Sequence, residues 1–249
     1  ATDSGVSGDV WNISGGGLYM QHGVDTYIYN TVFENNSSVA YSSQGGAYGG
    51  ALSITNYWNY RYYPMVWIVN SRFTKNTVNH FGGNTNTHGG AIYLGSPHVI
   101  VNTVIDSNHA AFDGGSGRGM GGGLFIDIQS QWDQSGNEIL ARSYLVNNTI
   151  VNNVASSATL GDGENGGIYI NYGPQTNGTW FNNIIWGNRA TENLTSVSLD
   201  RHNIHRLGDN DFKLVVDYNN IEFLDVYDGS FKRENSYNIN PGFVNPASN

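Results

Sequence analysis

Two turns rich in Asp and Gly, Asp113-Gly114-Gly115-Ser116-Gly117 and Gly161-Asp162-Gly163-Glu164-Asn165, hold the residues of this chain best suited to bind a metal. The carboxylates of Asp113, Asp162 and Glu164, joined by turn carbonyls, are the hard oxygen donors that Ca2+ collects six to eight at a time. An ordinary solvated turn has the same composition, so Ca2+ is a candidate cofactor and not a requirement. Acids also recur at Glu34 and Asp106, one residue after an apolar Phe or Ile, with Thr74 in the corresponding place between them. On stacked strands such a pair stands two steps apart, about 10 Å, the wide end of the range for an inverting glycosidase. Arg72 and Lys75 lie nearby in sequence, but a solvated outward face accounts for all four charges, and no catalytic residue is assigned. His80, His88 and His109 lack a tight metal-ligand spacing and read as surface histidines.

A second candidate site is aromatic. Tyr57-Trp58-Asn59-Tyr60-Arg61-Tyr62-Tyr63-Pro64 concentrates rings among polar residues, and Gln129-Ser130-Gln131-Trp132-Asp133-Gln134 carries a further tryptophan. Ring faces suit the C–H faces of sugars, while Asn, Gln and Asp meet the hydroxyls. Tyr57, Trp58, Tyr60, Tyr62, Tyr63 and Trp132 are therefore the candidate glycan-binding residues. The same rings could instead pack back on the protein wall as a satellite cluster.

The elements that must position these residues repeat. Asn30/Phe33/Asn36, Asn70/Phe73/Asn76, Asn102/Ile105/Asn108, Asn147/Ile150/Asn153 and Asn182/Ile185/Asn188 share the pattern N-x-x-[F/I]-x-x-N. Each follows a short apolar run such as Val66-Trp67-Ile68-Val69. Glycine elements answer them: Gly15-Gly16-Gly17-Leu18, Gly49-Gly50-Ala51-Leu52, Gly89-Gly90-Ala91-Ile92, Gly121-Gly122-Gly123-Leu124 and Asn165-Gly166-Gly167-Ile168. From leading Asn to the next glycine element the distance is nearly constant (30 to 49, 70 to 89, 102 to 121, 147 to 165), whereas the full repeats are uneven (30, 70, 102, 147, 182). All the variation falls between the glycine strand and the next Asn strand, so one loop position takes every insertion. The third repeat keeps a short link there, Gly95-Ser96-Pro97-His98, and the aromatic insertions on either side should rise beside a low coil.

The runs are too short and too β-branched for helices, and glycine is too dense. The expected fold is all-β, a right-handed parallel β-helix of about six coils in a single domain over 1–249, with 200–249 as the terminal coil and cap. Each coil should hold three short strands, and equivalent Asn side chains should bond along the axis in a ladder.

The chain is polar yet sparsely charged, 39% hydrophobic and 12% charged, with 33 Gly and 34 Asn. A net charge of −9 repels phosphate backbones, so no nucleic-acid partner is expected. With no cysteine, stability must come from stacking rather than disulfides. No stretch has the roughly 18 consecutive apolar residues of a membrane span. Ala1-Thr2-Asp3 has neither the charged nor the apolar region of a secretory leader, and a processed or excised piece is expected.

The GGA[ILV] and FxxN elements, here Gly49-Gly50-Ala51-Leu52, Gly89-Gly90-Ala91-Ile92, Phe33-Glu34-Asn35-Asn36 and Phe73-Thr74-Lys75-Asn76, resemble the repeats of chlamydial polymorphic outer membrane proteins. Asn182 to Asn188, Asp217 to Ile221 and Asn240 to Pro246 look like the closing coils of secreted bacterial β-helix proteins related to the pectate-lyase fold. Over residues 15 to 246 this resemblance implies an extracellular or cell-surface module. Proteins of this kind include adhesins, surface modules and polysaccharide-acting enzymes. The N-T-D and G-H-G motifs of polygalacturonase-like enzymes are missing. The expected function is a non-catalytic structural or adhesive module that contacts a polysaccharide or cell-surface glycan, or self-associates through its open ends into a filament. A polysaccharide lyase or glycoside hydrolase is the alternative.

Overall fold

The computed structural model describes residues 12–21, 25–41, 45–55, 64–128, 131–132, 138–139, 141–158, 163–171, 176–190, 204–207, 213–222 and 232–242. Within them the chain is all-β, a parallel β-helix. Each full coil visits five sheets in turn, for example Gly46–Tyr48, Leu52–Thr55, Val66–Val69, Arg72–Thr74 and Thr77–His80, and the sheets are called first to fifth in that order. They are 4-, 6-, 7-, 6- and 4-stranded, the longest being the third. No helix among the described residues is long and apolar enough to cross a membrane.

Five short strands replace the three expected because a bend here needs only one residue. Between the third and fourth sheets the leading asparagines, Asn30, Asn70, Asn102, Asn147 and Asn182, all have φ between 49° and 55°. Asparagine tolerates this left-handed region better than other side-chain-bearing residues. Between the fourth and fifth sheets Asn35, Lys75, Ser107, Asn152 and Gly187 do the same. The chain therefore turns without leaving the ladder, and the segments on both sides of each turn remain paired.

The trailing asparagines form the expected ladder. Asn36 Nδ2 donates to Asn76 Oδ1, Asn76 to Asn108, Asn108 to Asn153 and Asn153 to Asn188, each at 2.9 Å. Asn76, Asn108, Asn153 and Asn188 also reach across to a carbonyl of the neighbouring coil, as Asn108 Nδ2 does to Phe73 O at 3.0 Å. A second ladder stands at the preceding corner, where Asn148 Nδ2 donates to Asn183 Oδ1 at 2.9 Å and Asn183 to Asn219 at 2.8 Å. Earlier coils fill that row with Ser71 and Thr103. Buried amides are costly unless bonded, and here each satisfies the next.

The apolar filling follows strand alternation. Leu52 and Ile54, Ile92 and Leu94, Leu124 and Ile126, and Ile168 and Ile170 turn inward from the second sheet to meet Ile68, Ile100 and Leu145 from the third and Phe73, Ile105 and Ile150 from the fourth. Each such side chain contributes about 2 kcal/mol by burial. Phe33 stacks on Phe73 with centroids 4.8 Å apart, extending the same row. On the fifth sheet one inward row is small, Ser38, Val78, Ala110 and Ala155, and the other carries Ala40, His80, Phe112 and Ser157.

His80 corrects a sequence expectation. It is fully buried, set edge-on to Phe112 at 5.4 Å, because alternation in Thr77–His80 points it inward with Val78. His98 is buried as well. Its Nδ1 meets Ser96 O at 3.0 Å and its Nε2 meets Ser143 Oγ at 2.8 Å. Trp180 Nε1 donates to the same hydroxyl at 3.3 Å. Burial lowers the pKa of His98 to about 4, the carbonyl of Ser96 opposing in part. The folded protein thus holds His98 neutral where the unfolded chain, titrating near 6.5, takes up a proton. The unfolded state binds more protons between these values, so stability falls as pH drops from about 6.5 to about 4, by up to about 3 kcal/mol. Urea midpoints compared at pH 7.5 and 4.5 should show this loss, and His98→Gln should flatten the slope although it lowers the midpoint at neutral pH.

Candidate functional site

Apart from the short last turn, in which Val215 pairs with Lys232, every large difference in coil length falls at one place, the edge between the second and third sheets. There the links run from Thr55 to Val66, from Leu94 to His98 and from Ile126 to Ala141, while the turns at the other four edges are nearly constant. The insertion of the fourth repeat contains a hairpin, with Gln131–Trp132 antiparallel to Glu138–Ile139. Trp132 is thus placed on a strand of that hairpin. Tyr57, Trp58, Tyr60, Tyr62 and Tyr63 lie outside the described residues, as does Asp162. The third coil stays low between the two long links, as its short Gly95-Ser96-Pro97 requires.

The base of this edge is a row of polar residues at one register, Gln21, Thr55, Gly95, Asp127 and Asn171. Asp127 is held from both sides, its Oδ2 accepting from Tyr93 Oη at 2.7 Å and its Oδ1 from Asn171 Nδ2 at 2.9 Å. Tyr19 Oη lies 3.3 Å from Thr55 Oγ1. At the low coil Gly95 leaves this row without a side chain.

Behind the row stands an aromatic stack that sequence alternation placed outward. Tyr93 stacks on Phe125 at 5.5 Å and Phe125 on Tyr169 at 4.9 Å. They are nevertheless buried, at 8%, 3% and 1% exposure. The reason is the Gly-Gly corner, which folds the outward face of the first sheet towards that of the second. Tyr48 meets Tyr93 edge-on at 5.0 Å, and His88 meets Phe125 at 4.5 Å. His88 is a packing residue here. Desolvation lowers its pKa to about 3, and its Nδ1 has no hydrogen-bond partner. Burial first, and the Glu164 carboxylate second, push the Tyr169 phenol up.

Asp113 and Glu164, the candidate metal ligands among the described residues, stand on different elements. Asp113 follows the fifth-sheet strand, where its Oδ2 accepts from Asn79 Nδ2 at 2.7 Å. Glu164 pairs with Met120 on the first sheet, and its Oε1 is 2.6 Å from Arg118 Nη1. Each carboxylate already has a protein partner. Among the described residues no three His, Asp or Glu side chains converge as a metal site.

Glu34, Thr74 and Asp106 take successive places on the fourth sheet, so the two acids do stand two coils apart. Asp106 Oδ1 is occupied by Ser107 Oγ at 2.9 Å and Asn152 Nδ2 at 3.2 Å. Sequence reasoning missed the Asp127 row. Its signal was present, a polar residue one place beyond each inward pair of the second sheet, but Gly95 breaks the recurrence.

Comparison with protein-family models, with curated proteins and with solved structures gives no match for this chain. The class defined by the fold is the parallel β-helix.

Proposed function

We propose that this β-helix is an extracellular structural and adhesive module that contacts a polysaccharide or cell-surface glycan along the edge between its second and third sheets. The observation that carries the reading is the confinement of all large insertions to that edge, above the row Gln21, Thr55, Asp127 and Asn171. A scaffold that is constant on four edges and variable on one presents its recognition loops there, held by rigid strands. Amide, hydroxyl and carboxylate groups at the loop base suit sugar hydroxyls, and the aromatic insertions supply apolar faces. Coils two apart, on either side of the short third link, are about 10 Å from each other, near a disaccharide in length. The likeness of its repeats to those of bacterial surface β-helix proteins agrees with this setting.

The test is a glycan array with the parent protein and a variant in which residues 129–140 are replaced by a Gly-Ser link as short as that of the third coil. The variant should melt within a few degrees of the parent, because the coil beneath is unaltered. Its retention on the best glycans should fall at least tenfold. A parent that retains nothing, or a variant that retains as much, rejects the reading. Release of shortened products would replace it with polysaccharide cleavage. Ca2+ at Asp113, Asp162 or Glu164 would show as retention lost on chelation.

A further inference from the structure

The third sheet is unlike its neighbours on the outside. Its two central outward rows run from Tyr27 through Trp67, Val99 and Tyr144 to Thr179, and from Tyr29 through Val69, Val101 and Val146 to Phe181. Neither row holds a charged residue across these five coils, and on the next two strands they continue to Val215 and Lys232 and to Asp217 and Glu234. Over the same coils, among the described residues, the other four sheets carry charges in or one residue beyond their outward rows, with Arg118 and Glu164 on the first, Asp127 on the second, Arg72, Glu34 and Asp106 on the fourth and Asp113 on the fifth, whereas the third carries them at its border, at Asp25 and Arg142. Tyr27, Tyr29 and Phe181 are 56%, 50% and 41% exposed. Parallel sheets are ordinarily covered on both faces, and an exposed apolar patch of this kind marks an interaction surface.

We infer that this face docks a second copy of the chain, sheet against sheet. Three observations choose that occupant. The first is charge, since each copy carries −9 and two copies repel least across the five coils whose central rows hold no acid. The second is chemistry. The centre of the face, Val69, Val99, Val101 and Val146, has no side-chain donor or acceptor, so a glycan laid there would lose the hydration of its hydroxyls without replacement. Nor do the aromatics offer free ring faces at the centre, because Tyr27 and Trp67 stack on each other at 4.6 Å and 5° and turn their edges outward.

The third is area. The rows cover about 20 Å along the axis and about 13 Å across, roughly 300 Å². That is the size of the apolar centre in an interface of about 800 Å² per partner, with a polar rim making up the rest. Asp25 and Arg142 border the face on one side and Arg72 on the other, a rim of both signs. A two-fold axis through the face is sufficient, since an isologous contact needs only one patch. The pairing would set the two variable edges on one assembly and let both engage a polyvalent glycan, with avidity beyond either alone. Dimerisation itself does not depend on the glycan reading.

Sedimentation equilibrium of the full chain, from about 1 to about 100 µM, tests this alongside Val101→Glu and Val99→Lys. The parent should form a dimer of 27.2 kDa subunits. Both variants should shift the dissociation constant at least 100-fold towards monomer and melt within a few degrees of the parent, since these positions sit on the outer face. A parent that stays monomeric at about 100 µM overturns the inference. So does a dimer that survives both substitutions. A monomer whose glycan retention is abolished by Val101→Glu would give the face to the glycan and likewise overturn it.

Discussion

Asn108→Asp should cost the protein about 3 to 5 kcal/mol at pH 7, although it exchanges one NH2 for one oxygen. Asn108 is 1% exposed and stands at the middle of the ladder. Its Oδ1 accepts from both the backbone N and Nδ2 of Asn76, each at 2.9 Å. Its Nδ2 donates to Phe73 O at 3.0 Å and to Asn153 Oδ1 at 2.9 Å. A carboxylate keeps the accepting half and turns the donating half into repulsion between buried oxygens. Phe73 O and Asn153 Oδ1 each lose a donor, which is the costly way to break a hydrogen bond. The variant's carboxyl should therefore have a folded pKa above its unfolded value near 3.9. Its penalty is absent below that unfolded value and grows as pH rises through the folded one. Chemical denaturation of parent and variant should show a gap that is widest near pH 7 and narrows below about pH 5. A loss under about 1 kcal/mol at pH 7 would mean that the ladder is not a structural element.

Gly90→Ala should be comparably severe, at least about 3 kcal/mol, for a steric reason. Gly90 is the second residue of the corner between the first and second sheets. A Cβ there would fall on the carbonyl oxygen of Gly122 in the next coil and lie 2.5 Å from the carbonyl carbon of His109. Both obstacles are backbone, fixed by bonds such as Gly90 N to Gly121 O at 3.0 Å and His109 N to Asn76 O at 2.9 Å. No rotamer change relieves the clash. In a chain of this size the loss corresponds to a fall in melting temperature of about 6 to 12 °C. Thermal unfolding followed by circular dichroism reads it directly, and a shift below about 2 °C would show that the corner can open.

These two residues mark what the sequence determined on its own. Glycine at the first-to-second corner and asparagine at the fourth-to-fifth were legible because one requirement, backbone room in the first case and a bonded side-chain amide in the second, recurs in every coil and permits few residue types. Inward Leu and Ile were legible for the same reason, since alternation is local. That all insertions enter at one edge could also be read, from Asn-to-glycine distances alone. What tertiary structure decided lies between coils, where partners stand 32 to 45 residues apart in sequence, as Asn76 and Asn108 or Asn108 and Asn153 do. A row whose residue type changes, such as Ser71, Thr103, Asn148 and Asn183, leaves no repeat to notice, although one hydrogen-bond geometry links it. Outward Tyr93, Phe125 and Tyr169 are buried only because a neighbouring sheet folds towards them. Asp113 and Glu164, similar in their turn contexts, fall on different elements, one after the fifth sheet and the other beside the first. The uncharged stretch at the centre of the third sheet's outer face, five coils long, emerged from register, which alone decides which side chains of separate strands share a surface.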